Sequence, residues 1–253
     1  MKKVISIINH KGGVGKTTTA VNLSKALALS GHKVLMIDID PQGNLSQNFG
    51  FENPSDQLIN ALVDGKLLPV QVVDEGLFLV PSGIDLIEAE SSLVNVMSGI
   101  ARLKRALAPV RNEYDYVIID CPPSLNILSQ NAIIASDSVI VAVEPTKFAS
   151  SGLDRMFELI KDAQHDMNED LKIEGILFTM VDNRLAIQKY VQQLVSETFD
   201  DLPVFETVIR RNVALQEASF EGKDVFAHAP KSYGAEDYEA LAKEILQKEV
   251  VNG

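Results

Sequence analysis

Apolar positions along the chain follow two rhythms. Short, dense apolar runs rich in Val and Ile recur between longer stretches with helical spacing. Runs at residues 4–9, 33–39, 77–80, 116–119, 138–143, 173–181 and 204–208 have the length of buried strands. Helical patterns cover residues 17–30, 55–64, 86–110 with a break near Ser98-Gly99, 126–135, 152–165, 186–198 and 233–248. Strands that read as continuous apolar runs are covered on both faces. Their alternation with helices predicts an α/β fold, a parallel twisted sheet flanked by helices on both faces. No repeat, low-complexity linker or shift of composition divides the chain, so a single domain over residues 1–253 is expected. In such sheets ligands bind at the carboxyl ends of the strands. The polar segments stand there: after the first and second strands, at Asp120, at Asn183 and at Asn212.

The first of these segments is Lys11-Gly12-Gly13-Val14-Gly15-Lys16-Thr17-Thr18, placed between a strand and a helix. Glycines let successive backbone N–H groups point into one bowl, and the helix N-terminus adds attraction for anions. Lys16 is placed to reach the β and γ phosphates of a nucleotide, and the Thr17 hydroxyl to hold Mg²⁺. The general template G-x-x-x-x-G-K-S/T requires its first glycine at position 10, where His10 stands. The loop is instead led by a second lysine, Lys11. A lysine at the entrance folds back poorly onto its own phosphates and is free to point outward, toward phosphates held by a partner subunit.

Phosphoryl transfer to water needs a cradle, a metal, a positioned nucleophile and positive charge for the transition state. Asp120 ends an apolar strand of Walker-B type and is followed by the stiff turn Pro122-Pro123. It is expected to hold Mg²⁺ through a water or to order the γ-phosphate side. Strand alternation predicts Asp38 and Asp40 on one face. Asp40 is the candidate to orient the attacking water, and Asp38 belongs to the outer shell of the metal. Lys11, Lys16 and Asp40 are thus the candidate catalytic residues, and Thr17, Asp38 and Asp120 the candidate metal site.

Composition narrows the partners. The net charge is −12, too acidic for a general polyanion binder. The distribution is uneven: residues 1–37 contain no Asp or Glu but hold Lys2, Lys3, Lys11, Lys16, Lys25 and Lys33, which suits a nucleotide site. A second acid-free stretch, residues 95–112, with Arg102, Lys104, Arg105 and Arg111, reads as a solvated helix face. No apolar run approaches the ~20 residues that span a bilayer. The one cysteine, Cys121, leaves no pair for a disulfide or a metal cluster and reads as a packed residue. No signal-peptide cleavage site follows the N-terminus, so a cytoplasmic protein is expected. His10 reads as a polar loop neighbour, His165 and His228 as surface residues, and Phe148 as packed in the loop after a strand.

Three segments together, the Lys11-led loop, Asp38-Ile39-Asp40-Pro41-Gln42-Gly43-Asn44 and Val117-Ile118-Ile119-Asp120-Cys121-Pro122-Pro123-Ser124, resemble the deviant Walker-A P-loop NTPases of the ParA/Soj family, the DNA-partition motors of bacterial chromosomes and plasmids. The resemblance continues through Gly175-Ile176-Leu177-Phe178-Thr179-Met180, Val208-Ile209-Arg210-Arg211-Asn212-Val213 and Gly234-Ala235-Glu236. It implies an ATPase that binds ATP and Mg²⁺ through Lys11, Gly12, Gly13, Val14, Gly15, Lys16, Thr17 and Thr18. It implies a homodimer that sandwiches the nucleotides, with subunits close at Gly12 and Lys11 reaching across. Arg210 and Asn212 are placed to contact the adenine. The ATP dimer binds non-specific DNA, nucleoid-associated, and a ParB-type centromere-binding protein stimulates hydrolysis. The basic residues expected to meet DNA are Arg184, Lys189, Arg211, Lys223 and Lys231. They form a weak patch, since residues 182–231 hold six basic and eight acidic residues. Arg210 and Ala214 depart from the family pattern, which has proline and a basic residue at those places. An ATPase that positions a protein cargo on the nucleoid remains an alternative. A MinD-like membrane-cycling regulator fits less well, because residues 232–253 hold five acids and two lysines where an anionic lipid surface needs a basic helix.

Overall fold

A computed structural model describes residues 2–52, 54, 57–146 and 150–252. The strands are β1 (Lys3–Ile8), β2 (Val34–Asp38), β3 (Gln71–Asp74), β4 (Leu77–Val80), β5 (Tyr116–Asp120), β6 (Ser138–Val143) and β7 (Lys172–Phe178). They form one sheet in the order β3-β4-β2-β5-β1-β6-β7, parallel throughout except at β3. The helices are α1 (Lys16–Leu29), α2 (Asn44–Asn48), α3 (Leu58–Val63), α4 (Leu86–Val94), α5 (Arg102–Leu107), α6 (Ile127–Ala135), α7 (Ser150–Asp166), α8 (Ala186–Thr198), α9 (Val213–Phe220), α10 (Val225–His228) and α11 (Tyr233–Asn252).

The strand side chains alternate between two cores. Val117 and Ile119 of β5, with Val139, Val141 and Val143 of β6, face one side, where α3 to α8 pack. Ile118, Ile140 and Ala142 face the other, under α1, α9, α10 and α11. Burial of both faces is why these strands read as unbroken apolar runs.

Two differences from the expected strands stand out. First, the expected parallel sheet gains one antiparallel edge strand. Gln71–Asp74 pairs antiparallel with β4 across Glu75-Gly76, with Gly76 at φ 70°. A two-residue turn with a left-handed glycine makes a hairpin, and the alternating burial of β3 marks it as an edge strand. Second, residues 204–208 do not form a regular strand. Phe205 bonds to Ile176 of β7, but the amides of Glu206 and Thr207 donate to the Glu244 carboxylate of α11, both at 3.0 Å. The ladder is interrupted because a side chain takes its donors. The pattern over 86–110 breaks where expected, into two helices separated by Ser98 at φ 63° and a short 3-10 turn. The short helices α2, α9 and α10 had no sequence expectation. Of the helix expected at 55–64, residues 58–63 form α3; residues 55 and 56, and Phe148, lie outside the described residues. Among the described residues, no helix is long and apolar enough to cross a membrane.

Candidate active site

The Lys11-led loop joins β1 to α1 at the centre of the sheet, between the ends of β5 and β6. Gly13 and Gly15 have φ of 72° and 86°, a backbone region that side chains disfavour, which is why glycine stands at both turns of the bowl. Gly15 caps α1, whose first turn carries neither a capping side chain nor an acid. Its unsatisfied amides and the helix polarity are therefore available to an anion. The loop is fastened from three sides. Asn9 accepts from the Lys11 amide at 2.9 Å and donates to the Ala142 carbonyl at 2.6 Å. The Thr179 hydroxyl, beyond β7, donates to the Val14 carbonyl at 2.8 Å. The Thr19 and Tyr238 hydroxyls, 3.1 Å apart, join α1 to α11.

Lys16 is 7% exposed, and its ammonium donates to the Lys11 carbonyl at 3.3 Å. Burial lowers its pKa, opposed by the carboxylate charges of Asp120 and Asp40. Asp120 is fully buried. Thr17 Oγ1 donates to its Oδ2 at 2.6 Å, while its Oδ1 has no hydrogen-bond partner. Burial first, then the neighbouring Asp38, push the Asp120 pKa well above the ordinary carboxylate range. A buried oxygen left unpaired beside a hydroxyl is the donor arrangement a hard cation takes up.

Asp38 lies opposite Asp120 in the strand register. Both of its oxygens are engaged: Oδ2 accepts from the Ser46 amide at 2.8 Å and hydroxyl at 2.7 Å, and Oδ1 from the Asp40 amide at 3.1 Å. Burial still raises its pKa to about 6. Asp40 lies beyond the end of β2. Ile39 keeps the core face of Leu35 and Ile37, and the Asp40 amide then turns back onto the Asp38 carboxylate. Asp40 Oδ1 accepts from Gln42 N at 2.9 Å, and the Asp40 carbonyl accepts from the Ser82 hydroxyl at 3.1 Å.

A cavity of about 310 Å³ opens beside the loop, lined by Gly15, Thr18, Met180, Arg210, Asn212 and Leu215 among others. Arg210 is among its lining residues. Its guanidinium is turned toward α11, 2.5 Å from Asp237 Oδ1, 3.1 Å from Glu236 Oε2 and over the Tyr233 ring at 4.1 Å. The Asn212 side chain caps α9 through the Ala214 amide at 2.9 Å.

Of the residues expected to meet DNA, Arg184 is paired with Asp182, Arg211 with Glu144 and Lys223 with Glu221. Lys189 and Lys231 are exposed. His10 is half-buried, with Nδ1 enclosed and without a hydrogen-bond partner, and its pKa is lowered chiefly by burial. It abuts α7: a Cβ on Gly152 would lie 1.8 Å from its Cε1. His165 is exposed. His228 is not a surface residue as expected; it is half-buried between Glu217 and Glu221. Cys121 is buried. In the second acid-free stretch Lys104 and Arg105 face solvent, while Arg111 pairs with Asp137.

Sequence reasoning missed Asn9, Ser46, Ser82, Glu144 and Asp237 as supports of the site. Asn9, directly before the loop, and Ser46, in the turn after Asp40, carried a positional signal. The others act across the fold and carried none.

Comparison with known proteins agrees with this geometry. Residues 2–173 match the family model described as an AAA domain. The chain is 45% identical to the sporulation initiation inhibitor protein Soj of Bacillus subtilis, over 97% of this chain and 98% of that protein. It is 40% identical to the chromosome partitioning protein ParA of Myxococcus xanthus, over 98% and 89%. Among solved structures it is similar to cobyrinic acid a,c-diamide synthase from Mycobacterium smegmatis with bound ADP and magnesium. That match has a TM-score of 0.88 and 34% identity, covering 100% of this chain and 97% of the other. With an anion cradle led by a second lysine and end-to-end likeness to these proteins, the chain belongs to the ParA/Soj family of P-loop ATPases.

Proposed function

We propose that the chain is an ATP-driven switch for partition of a plasmid or chromosome. It binds ATP and Mg²⁺, dimerises around two nucleotides, binds DNA non-specifically in that state, and is returned to monomers by hydrolysis that a ParB-type partner stimulates. The single observation that carries this reading is Lys11: it stands at the loop entrance, 44% exposed, and its ammonium turns away from the bowl toward Glu144. A lysine so placed is available to a neighbouring subunit's phosphates. One domain serves all these roles.

The residues fit both ligands. Gly12 to Thr18 with Lys16 would hold the phosphates, and the cavity lined by Met180, Arg210 and Asn212 would take the base. Thr17 and Asp120 would hold Mg²⁺, with Asp38 behind Asp120 bracing the Asp40 turn. When bound, the cation neutralises charge on the phosphates. Asp40 orients the water, and Lys16 and a partner's Lys11 stabilise the negative charge of the transition state.

The pH dependence of Mg²⁺ binding tests the metal assignment. Burial favours the neutral acid at Asp120, so it takes up its proton at a higher pH than a free aspartate. A protonated acid does not hold a cation, so affinity should fall as the pH is lowered, beginning above the ordinary carboxylate range. Calorimetric titration of Mg²⁺ into the nucleotide complex at stepped pH checks this. A constant affinity from pH 8 to pH 5 would remove Asp120 from the site.

DNA binding should require ATP and weaken steeply with salt. Of the five basic residues expected to meet DNA, Lys189 and Lys231 have no ion pair among the described residues and make four in the dimer, so log affinity should fall against log salt with a slope of about −4. Arg184, Arg211 and Lys223 must first leave carboxylates. An electrophoretic assay with ATP showing no binding at low salt, or binding indifferent to ATP, would refute this part. ATPase activity measured with DNA, with a ParB-type partner and with both tests the whole cycle; no stimulation by the pair would point to a protein-cargo role instead.

A further inference from the structure

The ammonium of Lys11 and the guanidinium of Arg211 meet on one carboxylate. Glu144 Oε2 accepts from Lys11 Nζ at 3.3 Å, and Oε1 accepts from Arg211 Nη2 at 3.0 Å. The Thr146 hydroxyl accepts a second bond from Lys11, also at 3.3 Å. Glu144 directly follows β6, and its side chain is 18% exposed. The backbone at both ends is pinned, because Asn9 joins the Lys11 amide to the carbonyl of Ala142, two residues before Glu144. The loop entrance therefore cannot drift from the end of β6. Only the lysine side chain is free to swing.

We propose that Glu144 is a positioning residue for Lys11: it holds the lysine in the empty subunit and releases it when a more highly charged anion competes. The proposal rests on the cross-subunit reading of Lys11. A carboxylate carries one negative charge, while a triphosphate carries several. The exchange therefore runs toward phosphate when a second loaded subunit arrives, and back once that phosphate is gone. Arg211 makes release possible without stranding Glu144, since the second oxygen keeps its cation when Lys11 leaves. A half-buried carboxylate with no remaining partner would oppose the step. The latch thus discriminates against closure of subunits that lack a triphosphate, and it spans the phosphate end and the base end of the site.

The test compares Asp40→Ala with Asp40→Ala/Glu144→Gln, in ATP and Mg²⁺, by sedimentation equilibrium. Glutamine keeps the size and the acceptor but not the charge. Partly exposed pairs are worth roughly a two- to fivefold factor each, and closure of a dimer breaks two, so its dissociation constant should fall roughly four- to twenty-five-fold. Adding Lys11→Ala to both proteins should erase the difference, which a merely structural role of Glu144 would leave in place. A second readout uses the nucleotide-free protein. The NMR signal of the Lys11 ε-carbon should be ordered with Glu144 present and mobile after Glu144→Gln. Unchanged or weaker association after Glu144→Gln, or an ε-carbon signal indifferent to it, overturns the latch. An Asp40→Ala protein that stays monomeric in ATP overturns the cross-subunit reading instead, and the NMR comparison then decides alone whether Glu144 holds Lys11.

Discussion

Lys16→Ala should lower nucleotide affinity by at least about a hundredfold and leave no measurable turnover. Lys16 is the first residue of α1, almost wholly buried, and among the described residues its ammonium has only the Lys11 carbonyl as a hydrogen-bond acceptor. Asp120 and Asp40 supply charge nearby but no direct bond. An anion in the bowl would give this ammonium the acceptors that it lacks. Hydrogen bonds to charged groups contribute about 1.5–3 kcal/mol each, so loss of two phosphate contacts corresponds to roughly a hundredfold to ten-thousandfold. Fold stability should not suffer, because the substitution removes a buried ammonium that the empty protein satisfies poorly. Titration of a fluorescent nucleotide, with thermal unfolding as the control, measures both effects. Affinity within tenfold of the parent would mean that the bowl is not the phosphate site.

Asp40→Ala should behave in the opposite way: ATP binding retained, hydrolysis reduced about a hundredfold to ten-thousandfold, the range for loss of a positioned acid or base. The geometry separates the two functions. Asp40 sits outside the glycine loop, at the end of a turn held by Asp38, Ser46 and Ser82. Its Oδ1 accepts from Gln42 N, and its Oδ2 has no protein partner among the described residues. That free oxygen is the one available to a water. Single-turnover hydrolysis, compared with equilibrium ATP binding, resolves binding from chemistry. Asp40→Asn, which keeps the acceptor for Gln42, should hydrolyse as poorly as the alanine variant. Turnover within threefold of the parent in either variant would assign the water to another residue.

The parts of the site that were legible are those built from contiguous residues. The Lys11-led loop, the end of β5 at Asp120 and the turn after β2 each carry their chemistry in a few consecutive positions. Their secondary structure follows from local pattern: an apolar run, glycines where φ is positive, then helical spacing. For the Asp38–Asp40 pair the sequence did not show the local turn: the regular strand ends at Asp38, and the Asp40 amide turns back onto the Asp38 carboxylate. The expectation for Arg210 also changed. Asp237 and Tyr233, 27 and 23 residues away along the chain, draw its guanidinium toward α11.

The sequence by itself determined the sheet-and-helix architecture, the lysine-led glycine loop between β1 and α1, and the polar segments at the strand ends. These depend on residue type, short-range spacing and burial period, which are properties of a linear string. Only the tertiary structure decided which charges are free and which are held. Glu144 with Lys11 and Arg211, Asp237 with Arg210, Glu244 with the amides of Glu206 and Thr207, and Thr179 with the loop carbonyl all join residues dozens of positions apart. Side-chain pairing of that kind depends on distances of a few ångströms between strand ends, and the packing of the sheet and its helices sets those distances.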